Sequence, residues 1–89
     1  MKELIYYCEN TFLPYMTRKT LNKKHTAYQL KNLAERDLNR YVSKEEFQKA
    51  MAILGFPVSD YYPLSEQFFI NRYNKRRKRG GGYSYDRRN

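Results

Sequence analysis

The sequence predicts a mainly α protein, with an α+β arrangement left open. One small single domain of about three helices and one or two short strands is expected over residues 1–73. A basic Gly/Tyr/Arg tail over residues 74–89 follows, expected to be disordered when free. Three observations carry this reading. Two capping-box patterns, Thr26 with Gln29 and Ser43 with Glu46, each open a stretch of apolar residues at helical spacing. The 89 residues suffice for one modest core. The charge is also lopsided: residues 72–89 hold eight Arg or Lys against Asp86, while residues 1–71 hold ten against eight acids, so seven of the nine net positive charges lie in the last eighteen residues.

The elements follow in order. Leu4, Ile5, Tyr7, Cys8, Phe12 and Leu13 fit a helix from about Lys2 to Leu13, although Leu4 to Cys8 taken alone also fits a strand. Pro14 marks the end of that element. A polar connector from Thr17 to His25 leads to the first capping box, after which Leu30, Leu33, Ala34, Leu38 and Tyr41 recur at helical spacing and predict a helix over about Thr26 to Asn39. From Ser43, the residues Phe47, Ala50, Met51 and Leu54 share one helical face. Gly55 ends that helix, and Phe56 and Pro57 supply an apolar contact and a stop. Ser59, Asp60 and Pro63 signal turns, and the aromatic and β-branched stretch Gln67 to Tyr73 favours an extended strand, paired near Tyr6 or Val58.

Composition excludes several classes. With a single Cys8 the chain forms no internal disulfide, and one Cys with one His builds no Cys/His zinc site. No metal or other cofactor is expected, and a reducing, intracellular setting fits best. No apolar run approaches the ~20 residues that span a bilayer. Glu3, Glu9 and Asn10 interrupt any signal-peptide core, so an unprocessed chain is expected. Cys8, in an apolar stretch without a neighbouring cation, reads as a small buried hydrophobe. Glu35, Asp37, Glu45 and Glu46 alternate with Arg36, Arg40, Lys44 and Lys49, the pattern of an ion-paired surface. His25 has no nucleophile or metal set around it, and Gly80 to Gly82 open no helix as a phosphate loop would. No enzyme is expected.

The basic residues point to polyanions. Lys75, Arg76, Arg77, Lys78 and Arg79 are consecutive cations that displace condensed counterions, and arginine forks match phosphate oxygens. Arg72, Arg87 and Arg88 extend the cationic segment, and Tyr83 and Tyr85 offer rings on which unpaired bases stack. The plainer reading of such a tail is solubility or attachment to an acidic protein. Arg18, Lys19, Lys23, Lys24 and His25 form a secondary basic patch just before the Thr26 helix, or simply a solvated loop. The pair of helices invites a helix-turn-helix comparison. Lys44 and Lys49 are offset by Glu45 and Glu46, which argues against groove reading by the second helix.

The stretch His25-Thr-Ala-Tyr-Gln-Leu-Lys-Asn-Leu-Ala-Glu-Arg, followed by Tyr41-Val-Ser-Lys-Glu-Glu-Phe-Gln-Lys-Ala-Met and Leu54-Gly-Phe, resembles a motif of small uncharacterised proteins of bacterial phages and mobile elements. Asn39 and Lys44 stand where that pattern has glycine and asparagine. The resemblance implies a mobile-element origin, and with it a cytoplasmic setting in a bacterial host cell, and assigns no functional residue. The function expected is a non-enzymatic accessory protein binding nucleic acid (DNA or RNA) through its basic tail. The rival expectation is an anti-CRISPR-like inhibitor of a host nuclease or ribonucleoprotein, motivated by the ten tyrosines. Membrane attachment lacks an apolar anchor beside the charges.

Overall fold

A computed structural model of the chain describes the backbone of residues 1–80 and the side chains of residues 1–74. Within them lie α1 (Lys2–Thr11), α2 (Ala27–Leu38), α3 (Lys44–Ile53) and α4 (Glu66–Gly80), with a 3-10 turn at Leu13–Tyr15 after α1. The α1 segment, open between helix and strand on sequence alone, is helical because Leu4, Cys8 and Phe12 recur every four residues and all three are fully buried. Pro14 occupies the 3-10 turn, where its missing N–H leaves no bond unmade.

The helices α2 and α3 form where their caps predict. The Thr26 hydroxyl accepts from the Gln29 amide while the Gln29 side chain accepts from the Thr26 amide. Asn39 ends α2 in the left-handed region at φ 55°. The Ser43 hydroxyl accepts from the Glu46 amide, but the Glu46 carboxylate turns to Arg40 at 3.5 Å, so half of the second capping box forms. Gly55 closes α3 at φ 105°, and the Phe56 amide returns to the Met51 carbonyl at 2.9 Å. Tyr41 departs from the helical stripe expected of it. It lies beyond Asn39, outside the periodicity, and is 72% exposed.

Packing centres on Phe12. Its ring meets Tyr7 and Phe47 edge-on at centroid distances of 5.7 and 5.8 Å and Phe68 at 5.1 Å. Leu30 and Ala34 of α2, Phe47, Ala50 and Met51 of α3, and Val42, Tyr62 and Leu64 of the connections complete the core. Cys8 is buried as expected, and burial pushes its thiol up to about 12.

The strand expected over Gln67 to Tyr73 is instead helix α4. Ser65 caps it through its hydroxyl, which accepts from the Gln67 amide at 3.1 Å, and Glu66 places an acid in the first turn. Phe68, Phe69 and Arg72 then turn inward at helical spacing, and that tertiary contact overrides the strand preference of Phe68-Phe69-Ile70. The boundary expected after Tyr73 falls inside this helix, whose backbone continues to Gly80. Its last turns hold the run Lys75 to Arg79, and cations suit the negative end of the helix dipole.

Among the described residues the sole β-pairing is an isolated antiparallel bridge between Asn22 and Tyr62. Around it the polar connector runs against the segment leading to α4. The Arg18, Asn22 and Ala27 amides donate to the carbonyls of Pro63, Tyr62 and Asp60 at 3.1, 2.9 and 2.7 Å. Neither Tyr6 nor Val58 pairs with a strand. Among the described residues no helix is long and apolar enough to cross a membrane.

Candidate nucleic-acid interface

The secondary basic patch, Arg18 to His25, is a fixed loop. Asn22, 1% exposed, anchors it: the side-chain amide donates to the Leu64 carbonyl at 2.9 Å and to Glu66, and its oxygen accepts from the Lys24 amide at 3.0 Å. Lys19, Lys23 and Lys24 stand exposed on this frame, and the Arg18 guanidinium donates to Thr20. His25 does not face outward for a phosphate. Its ring stacks on Phe69 at 3.5 Å, and its Nε2 lies 2.9 Å from a Glu66 oxygen. Burial alone would raise the Glu66 carboxyl, but hydrogen bonds from Asn22 and His25 hold it below its ordinary value.

Arg72, expected as a phosphate contact, is committed to the protein itself. Its guanidinium forks onto Asp37 at 2.9 and 3.0 Å, and its Cζ lies over the Phe68 ring, 5.7 Å from its centre. The Tyr7 hydroxyl donates to the same carboxylate. Burial would raise Asp37, yet the bonds from Arg72 and Tyr7 hold it below its ordinary value. The junction of Tyr7, Asp37 and Arg72 is not visible in the sequence, where a 35-residue separation between Asp37 and Arg72 leaves no local signal.

Lys75, Arg76, Arg77, Lys78 and Arg79 occupy the final turns of the α4 backbone, and their side chains lie outside the described residues. Tyr83, Tyr85, Arg87 and Arg88, and the expected disorder of the tail they belong to, also fall outside the described residues. The structure nevertheless relates the two basic patches through one helix. The connector packs on the first turn of α4 through His25 and Phe69, and positions 75 to 79 follow about 9–15 Å further along the axis at 1.5 Å per residue. That interval equals the axial rise of roughly three to four phosphates on one strand.

The other acids are mostly engaged, although largely with partners outside the alternating set, which itself supplies Arg40 with Glu46. Lys31 pairs with Glu35 at 3.0 Å, Arg40 with Glu3 at 3.0 Å, and Lys44 with Asp60 at 3.0 Å. The Lys31 ammonium also lies 5.0 and 5.2 Å from the ring centres of the exposed Tyr28 and Tyr41. The charges left over for a partner are therefore mainly positive. No protein-family model matches the chain, and no curated protein or solved structure matches it either. Among the described residues no group of His, Cys, Asp and Glu could hold a metal ion.

Proposed function

We propose that this protein is a non-enzymatic nucleic-acid-binding accessory protein of a phage or mobile element, which holds phosphates through the cationic end of α4. The observation that carries the reading is the run of five cations, Lys75 to Arg79, on a helix whose base is fastened by Phe68, the stack of His25 on Phe69 and the fork of Arg72 on Asp37. A rooted helix presents charge with less ordering cost than a free tail, so more of the counterion-release energy remains as affinity. Lys19, Lys23 and Lys24 add a second contact at the helix base, while His25 and Arg72 act as structural supports.

Electrophoretic shift of the full chain on duplex DNA, single-stranded DNA and structured RNA tests the reading. The comparison is a full-length variant with Lys75, Arg76, Arg77, Lys78 and Arg79 replaced by Gln, which keeps good helix formers in place. The reading predicts binding by the native chain and a loss of at least about a hundredfold in the variant. Equal affinity of the two chains overturns it.

A second reading is favoured by the exposed tyrosines: Tyr6, Tyr28, Tyr41 and Tyr73 are 70, 57, 72 and 61% exposed. Tyrosine is enriched in protein recognition surfaces, and this suits an inhibitor of a host nuclease or ribonucleoprotein, of anti-CRISPR type. A partner that survives nuclease treatment of the lysate in a pull-down separates this reading from the first.

A further inference from the structure

Where the connector crosses the segment after α3, the surface opens into a pocket of about 240 Å³ walled by Leu21, Phe56, Pro57, Tyr61, Tyr62 and Pro63. We propose that this pocket seats one unpaired base of a single-stranded nucleic acid, an inference that rests on the nucleic-acid reading above and adds the class of strand. The walls are aromatic rings, prolines and one leucine, with Ser59, whose hydroxyl already accepts from the Tyr61 amide, so the pocket offers mainly stacking and burial and little hydrogen-bond code. Such a surface takes any base, because every base presents a π-face.

The walls are set before a ligand arrives. The Tyr62 and Pro63 carbonyls accept from the Asn22 and Arg18 amides, the Ser59 carbonyl accepts from the Gln48 side chain at 2.8 Å, and the Ser59 hydroxyl accepts from the Tyr61 amide at 3.1 Å. A preformed pocket spares the ordering cost of binding.

Charge selects the occupant. Leu21, 44% exposed, lies between Lys19 and Lys23, each two residues away and so within about 7 Å along the backbone. Both lysines are exposed and neither carries an ion pair among the described residues. The acid on the facing segment, Asp60, is engaged by Lys44 at 3.0 Å. An apolar slot whose Leu21 wall is flanked in the chain by two exposed lysines matches a flat base between two phosphates. A second copy would instead bring another chain of net charge +9 against this one. Duplex bases, stacked and paired, do not enter.

The test uses the full chain, which has no tryptophan, with a Leu21→Trp substitution as fluorophore at the rim and, separately, Tyr61→Ala. The expected result is quenching of the L21W emission by a single-stranded oligonucleotide but not by the matching duplex. Y61A, its fold checked by circular dichroism, should then lose at least about fivefold in single-strand affinity, the factor one stacked base contributes, at unchanged duplex affinity. Salt-dependent strand binding with unquenched L21W and an unaltered Y61A overturns the pocket while leaving the proposed function intact. Failure of the native chain to bind any nucleic acid overturns both. Quenching of L21W by an acidic, aromatic-bearing peptide and not by the strand also overturns it, in favour of a protein ligand.

Discussion

The Arg72 guanidinium and the Asp37 carboxylate meet fork to fork, Nη1 at 2.9 Å from one oxygen and Nη2 at 3.0 Å from the other, and thereby tie α4 to α2. Because Tyr7 donates to the same carboxylate, α1 joins the same junction. Lysine retains the charge but not the paired geometry. Arg72→Lys should therefore cost about 1–2 kcal/mol, lowering the melting temperature by about 4–16 °C for a domain of this size. Thermal unfolding followed by circular dichroism checks it, and an unchanged melting temperature would show that the fork contributes nothing.

Asp37 of this junction, together with Glu66 held by Asn22 and His25, sets an acid limit on stability. The carboxyls of Asp37 and Glu66 sit below their ordinary values in the folded chain, so the native state binds fewer protons than the unfolded state as pH falls. Their contribution is complete above the unfolded carboxylate range, about pH 4, and is lost as pH drops through the lower folded values. Urea midpoints measured from pH 6 to pH 2 should fall steeply below about pH 4 in the native chain, and less steeply in Asp37→Asn.

Phe12 is the ring on which α1, α3 and α4 converge, and it is fully buried. Phe12→Ala should cost about 3–5 kcal/mol through lost burial and the cavity left behind. Chemical denaturation gives the value. A loss under about 1 kcal/mol would mean that the surrounding helices close over the gap, contrary to the packing described.

Tyr62 places its hydroxyl in the core, 2% exposed as a residue, with no hydrogen-bond partner among the described residues. Burial pushes it up to about 12. Removing an unpaired buried polar atom relieves its desolvation cost, so Tyr62→Phe should stabilise the fold by about 1 kcal/mol. A destabilised variant in the same denaturation assay would reveal a hydrogen bond at that hydroxyl.

Much of the fold is legible in the sequence where local chemistry decides it. Thr26, Ser43, Asn39 and Gly55 mark the bounds of α2 and α3 because caps act within one helical turn. The α4 helix was not legible: Phe68, Phe69 and Ile70 carry strand preference, and only the inward contacts of Phe68, Phe69 and Arg72 reverse it. For the same reason Arg72 and His25 read as phosphate contacts, although Asp37 and Glu66, distant in sequence, hold them. The basic run Lys75 to Arg79 was legible as chemistry. Its attachment to a rooted helix was not, nor was the pocket that Leu21 forms with residues about forty positions later.

The central claim is that phosphate contacts by Lys75 to Arg79 supply the affinity, and the salt dependence of binding tests it most directly. With about six phosphates neutralised, five by Lys75 to Arg79 and about one by the lysines at the helix base, the slope of log affinity against log salt on duplex DNA should be near −5 for the native chain, falling to about −1 when the five cations are replaced by Gln. A slope near zero in the native chain, or the same slope in both chains, would contradict the claim.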